Sequence, residues 1–280
     1  MQHPLISIDQ LIRDSWDVTK ADWRKTLRYT LLPIVITTCL NLLFAGLGFL
    51  FKELENNLWY SVLSMIPSWV ITAWFTVRLY KYVLKRDHGQ QPTSTDTHVS
   101  VKELAILFLI VALMVIVTTA GTILFIIPGI WIGTLISFSV FLFLEDHKTG
   151  VSALKASKAL VQGRWWATFG RRVVPGLVSS AAAMAAMFIF VFGALIASAI
   201  LFGIGYALQL VITAALFDKI LMAIGVIWLI LLLIALIVGG LLLSVCATLF
   251  NAVVSAKLFH ALKQTPIEPA REIVTATTQN

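Results

Sequence analysis

The sequence predicts an all-α fold: a polytopic transmembrane helical bundle of about six passes, with two amphipathic interfacial helices at about 7–20 and 150–162. Three observations carry this. First, 59% of the 280 residues are apolar and only 12% are charged, about half the charge of a soluble domain. Second, the run from Leu104 to Leu144 has no charge at all. As one helix it would be about 60 Å long, roughly twice the hydrocarbon thickness, so it must fold back on itself. Third, of the 21 Lys and Arg residues, all but Lys52 and Lys219 fall in segments that six passes place on one side. That bias predicts both ends in the cytoplasm.

The elements follow in order. Ser7-x-x-Gln10 is a capping pattern, and Ile8, Leu11, Ile12, Trp16 and Val18 repeat with helical period, which predicts a surface helix over 7–20. Trp23 opens the first pass, which runs to about Phe51. The loop Lys52 to Asn57 is acidic on balance. A second pass spans Leu58 to Leu84, with Pro67 as an interior kink. The polar stretch Lys81 to Lys102 reads as a mobile turn-rich loop, and Ser100-x-x-Glu103 caps the third pass. Pro128-Gly129 is the expected fold point, followed by a short fourth pass, Ile130 to Leu144. Gly129 and Gly133, four apart, let another helix approach closely, either a partner's or the chain's own. A long fifth pass runs to about Phe202. Small residues there, among them Ala182, Ala186 and Gly193, suit close packing. Over 203–240 an embedded excursion through Asp218 is expected, then a last pass ending near Leu262. Residues 1–262 thus form one transmembrane domain, and 263–280 a disordered tail. Cys39 and Cys246 lie in apolar runs and read as packed thiols. The polar N-terminus carries no signal-peptide pattern.

Glu145 and Asp146 mark an exit into water. Beyond them Val151, Leu154, Leu160, Val161 and Trp165 share one helical face, while Lys155, Lys158 and Gln162 lie on another. This is the pattern of a helix in the interface plane, ended by Gly163. Trp165 and Trp166 sit at headgroup level, and Arg164, Arg171 and Arg172 reach the same layer. Trp23, Arg24 and Lys25 are the equivalent anchors near the N-terminus. Shifting Leu11 onto Ala153 aligns 11–35 with 153–177: Ser15 meets Ser157, Trp23 meets Trp165, Thr26 meets Thr168 and Pro33 meets Pro175. The spacing describes a weak parallel internal repeat.

The stretch PGIWIGTLISFSVFLFLEDHKTGVSALKASKALVQGRWWATFG combines Pro128, Gly129, Glu145, Asp146, Gly150, Ser157 and Trp165 to Phe169. It resembles the central signature of the YciC-type bacterial inner-membrane proteins. It is also similar to the membrane domain of some glycerophosphodiester phosphodiesterases. The closing VVSAKLFHALK resembles the end of the same family. The resemblance implies a six-helix bacterial inner-membrane protein with a link to lipid metabolism. It carries over no catalytic residues, and residues 203–240 read as an insertion.

An enzyme is not expected. There is no H-E-x-x-H, G-x-S-x-G, P-loop or G-x-G-x-x-G, and Glu145 with Asp146 reads as a solvated boundary. The five histidines show no metal spacing, so neither metal nor cofactor is expected. The charge of +7 flanks apolar runs instead of forming a stripe, which argues against nucleic acid. A coupled transporter would keep ionisable groups at membrane depth; here only groups such as Asn41, Thr118, Ser137 and Asn251 lie there. The expected function is therefore a non-enzymatic lipid-interacting, accessory or scaffold protein in membrane homeostasis. The alternatives are a passive or lipid-handling permease and a subunit of a larger complex. The expected partners are anionic lipid headgroups and a membrane protein or second copy.

Overall fold

The computed structural model describes residues 5–51, 58–93, 95–211 and 215–265, with the side chains of 209–218 left aside. The expected acidic loop at 52–57, the side chain of Asp218 and the tail from 266 lie outside the described residues. The helices are α1 (Ile8–Leu50), α2 (Leu58–Asp87), α3 (Val101–Leu124), α4 (Ile126–Leu135), α5 (Ser139–Asp146), α6 (Gly150–Val161), α7 (Trp165–Val211) and α8 (Ala215–Gln264). No strand occurs among the described residues. Among the described residues six spans are long and apolar enough to cross a membrane, with α4 and α5 together making one of them. The molecule is thus an all-α multi-pass membrane protein.

The chain divides into two compact units: residues up to Pro175 together with those from Ala252, and Gly176–Asn251. In the first unit, α1 and α2 run antiparallel. Asn41 accepts from Ser68 at 3.1 Å, the Tyr60 hydroxyl donates to the Phe44 carbonyl, and Arg86 Nε meets the buried Asp22 carboxylate at 2.7 Å. The residues expected as a separate surface helix, 7–20, are helical and capped by Ser7. They continue without a break into the first pass, however. The aligned second copy does break, between α6 and α7, where Gly163 adopts φ +87°. Ala21 stands at the matching position of the first copy, and alanine favours helix where glycine permits the left-handed turn. Four aligned pairs are buried in both copies: Leu11 and Ala153, Ser15 and Ser157, Thr19 and Val161, Thr26 and Thr168 are each at most 2% exposed.

The link between α2 and α3 is held in place, contrary to its mobile composition. Thr97 is buried and bonds the Tyr29 hydroxyl at 3.2 Å, and Val99 is buried too. Asp96 accepts from Lys85 at 2.6 Å and from the Thr93 hydroxyl and N–H. The Lys85 ammonium, helped by Thr93, holds its carboxyl well below the usual carboxylate range. Ser100 and Glu103 close a reciprocal capping box on α3.

The fold-back between α3 and α4 comes at Phe125, whose backbone is extended, and not at Pro128-Gly129. Pro128 occupies the first turn of α4, where the N–H it lacks would have had no helical partner. Gly129 and Gly133 serve the chain's own hairpin. A Cβ on Gly129 would lie 2.1 Å from Thr122 Oγ1 and 2.9 Å from Thr122 Cα, and one on Gly133 would lie 3.6 Å from Thr118 Cγ2. The short pass then breaks at Ile136–Phe138, between α4 and α5. The buried Ser157 hydroxyl of α6 spans that break, donating to the Leu135 carbonyl at 2.8 Å and accepting from the Phe138 N–H at 3.1 Å. This pass is 61% buried, whereas no other span exceeds 17%. It is the centre of the first unit. Phe138 and Phe141 stack on Phe259 of α8 at centroid distances of 6.1 and 5.6 Å, and Tyr80 of α2 lies 5.0 Å from Phe141.

In the second unit, α7 and α8 form an antiparallel apolar pair. Trp228 Nε1 donates to Ser198 at 2.9 Å, Gly225 faces the Phe202 ring and Gly205 faces Leu221. Helix continues through Gly203 and Gly205 on one side and from Ala215 on the other, so the expected excursion over 203–240 is replaced by two uninterrupted helices. Ala182, Ala186 and Gly193 are exposed rather than at this contact. Ser179, Ala183 and Ser198 are half-buried instead. Both cysteines are free, and Cys39 faces outward instead of being packed.

Substituting Gly129→Ala should lower the melting temperature in detergent, at a cost of about 1–3 kcal/mol for forcing the hairpin apart. Ser157→Ala leaves a buried carbonyl and a buried N–H unpaired and should cost about 1–3 kcal/mol by the same measurement. Equal melting of either variant and the wild type would show that the hairpin or the break relaxes freely.

Candidate functional site

Three helix ends of the first unit converge on one polar cluster. Asp87 closes α2, with His88 just beyond it. Glu145 and Asp146 close α5. Both ends place carboxylates where the helix dipole is already negative, which is unfavourable unless cations are supplied. Helix α8 supplies them: Lys257, His260 and Lys263, three apart, share one face of its last turns.

His260 lies at the middle, only 8% exposed. Its Nδ1 makes a short hydrogen bond to Asp87 Oδ2, and its Nε2 lies 2.9 Å from Glu145 Oε2. Ionised carboxylates only accept, so both ring nitrogens donate and the ring is an imidazolium. Lys257 reaches Asp87 Oδ1 at 3.4 Å. Lys263 bonds Glu145 Oε1 at 2.7 Å and Asp146 Oδ1 at 2.8 Å. His88 Nε2 is 4.0 Å from Glu145 Oε2, and its ring centroid is 4.4 Å from that of His260. Three carboxylates thus face three cations, and the cluster is electrically balanced. Glu145 and Asp146, expected as a solvated boundary, are 23% and 27% exposed at the side chain and fully paired.

The residues expected at lipid headgroups divide into two sets. Lys155 and Lys158 lie exposed on α6, opposite the buried Ala153, Leu154, Ser157 and Val161. Neither makes an ion pair among the described residues. Trp166 is 79% exposed, and Arg172 is also exposed. The others are engaged internally. Arg164 donates to the Leu262 carbonyl and to the Thr265 carbonyl and hydroxyl, closing the end of α8. Arg171 donates to the carbonyls of Leu5 and Ile6. Trp165 donates to the Trp131 carbonyl and stacks on Phe169 at 4.8 Å. Near the N-terminus, Arg24 covers the half-buried Trp23 ring, and Lys25 reaches Gln91 and Asp22.

Sequence reasoning missed the His260 cluster because its members are 115 and 173 residues apart. The one available signal was the placing of acids at the C-terminal ends of two helices and of bases along the last turns of a third. Compared with protein-family models, with curated proteins and with solved structures, the chain gives no match.

Glu145→Gln removes one wall of the cluster and leaves Lys263 and the imidazolium short of a partner. Thermal unfolding should register a loss of about 1–3 kcal/mol. Asp146→Asn, which touches only Lys263, should lose under about 1 kcal/mol. Equal losses would show that Glu145 is not the hub.

Proposed function

We propose that this protein is a non-enzymatic accessory or scaffold component of a bacterial inner membrane that engages anionic lipid headgroups through α6, with both chain ends in the cytoplasm. The observation that carries this reading is that Lys155 and Lys158 are exposed and make no ion pair among the described residues. Arg164 and Arg171 are committed to backbone carbonyls, whereas Lys155 and Lys158 project from a helix whose other face is packed on protein. Exposed Trp166 and Arg172 lie shortly after them in sequence. Cations next to an indole at the interface are attracted by anionic lipid, each by about 1 kcal/mol. The flanking distribution of Lys and Arg supports the cytoplasmic side for this surface. The likeness of 128–169 to the YciC-type proteins and to the phosphodiesterase membrane domain adds support for a role near lipids.

A lipid-handling route is the second reading. An open groove of about 380 Å³ is lined by Trp69, Thr72, Thr76, Tyr80, Leu107 and Val111 among others. The Thr72 and Thr76 hydroxyls bond back to their own helix, which leaves a lining suited to an acyl chain.

The test is native mass spectrometry of the protein released from discs of mixed phosphatidylglycerol and phosphatidylcholine. Reversing both charges, K155E with K158E, should reduce retained phosphatidylglycerol about tenfold or more at low salt. Unchanged retention would remove α6 as the lipid site, and a stoichiometric protein partner in its place would make the chain a subunit.

A further inference from the structure

We infer that His88, Glu145 and His260 form a binding site for one divalent transition-metal ion of the zinc class. One potential ligand atom from each of His88, Glu145 and His260 lies within 4.8 Å of the other two. Two ligands on a tetrahedral ion with bonds of about 2.1 Å sit about 3.4 Å apart. The two separations to Glu145 Oε2, 2.9 Å from His260 and 4.0 Å from His88, bracket that value. Two imidazole nitrogens and one carboxylate oxygen are a zinc-type donor set that leaves a fourth position to water.

The surroundings are those of a metal site as well. Asp87 holds Nδ1 of His260 and turns Nε2 toward Glu145 and His88, the carboxylate–histidine–metal arrangement that orients a ligating ring. Lys263 bonds Glu145 Oε1 and leaves Oε2 to the two histidines. His88, with its side chain 52% exposed, gives the ion a way in from solvent. The proton on His260 Nε2 stands where the ion would go: the ion bonds Nε2 and Glu145 Oε2, and that proton leaves to solvent. The carboxylates at the negative ends of α2 and α5 favour the added charge. The His88 ring lies against that of His260, with Nε2 toward Glu145. The site joins α2, α5 and α8, and this inference stands apart from the lipid reading.

The experiment uses full-length protein with its affinity tag removed, in lipid discs, titrated with Zn²⁺ and separately with Co²⁺. One ion per chain should remain after dialysis, Co²⁺ should show the visible bands of a low-symmetry four- or five-coordinate site, and Zn²⁺ should raise the melting temperature. His88→Ala, at a half-exposed position, should keep the metal-free melting temperature and lose at least tenfold in affinity. Glu145→Gln should lose the Co²⁺ bands. His98→Ala, on the exposed link before α3, should bind as the wild type does. No stoichiometric ion in the wild type, or equal binding by His88→Ala, would overturn the site.

Discussion

A backbone break inside a membrane pass is the constraint on which the rest of the first unit depends. In hydrocarbon an unpaired carbonyl or N–H costs several kcal/mol, so irregular backbone is tolerated only where protein surrounds it. The α4–α5 pass is interrupted at Ile136–Phe138 and is accordingly the most buried span among the described residues. The Ser157 hydroxyl pairs both free groups, which fixes α6 against the hairpin and settles which face of α6 looks outward. The exposure of Lys155 and Lys158 follows from that single docking. So does the position of Glu145, because α5 is only eight residues long and its end is placed by the break.

The charged cluster builds on the same framework. Phe259 stacks on Phe138 and Phe141, and its neighbour His260 is thereby delivered to the ends of α2 and α5. Carboxylates at those ends would repel the helix dipoles if left alone. The α8 cations turn that local conflict into a joint between helices distant in sequence. Such a joint is specific to one arrangement, since sliding α8 by a turn would separate five opposite pairs at once.

How much of this was legible in the sequence follows from the range of each interaction. Ser7, and Ser100 with Glu103, act on backbone within three residues, and both caps were readable. Of the positions that the repeat aligns, Ser15 and Ser157 are both buried, as are Thr26 and Thr168. Proline was misread by a few residues, because Pro128 opens a helix as readily as it ends one. The continuity of α1 hung on alanine against glycine at one aligned position. Gly203 and Gly205 looked like breakers, yet a glycine in a membrane helix is also a place for a neighbour, here Leu221 for Gly205. Ser157 and His260 were beyond reach: their meaning depends on partners that only the folded chain brings together.

The second unit has a property of its own. From Gly176 to Val211 its first helix is uncharged and about 54 Å long, against a hydrocarbon layer of about 30 Å. Even an inclination of 40°, steep for a membrane helix, shortens its projection only to about 41 Å. About ten ångströms of apolar surface are then left for the lipid to meet. This hairpin is under hydrophobic mismatch in an average bilayer. Thickness therefore acts on it as a mechanical variable: longer acyl chains relieve the excess, and shorter ones force bending, clustering or local swelling of the membrane around it.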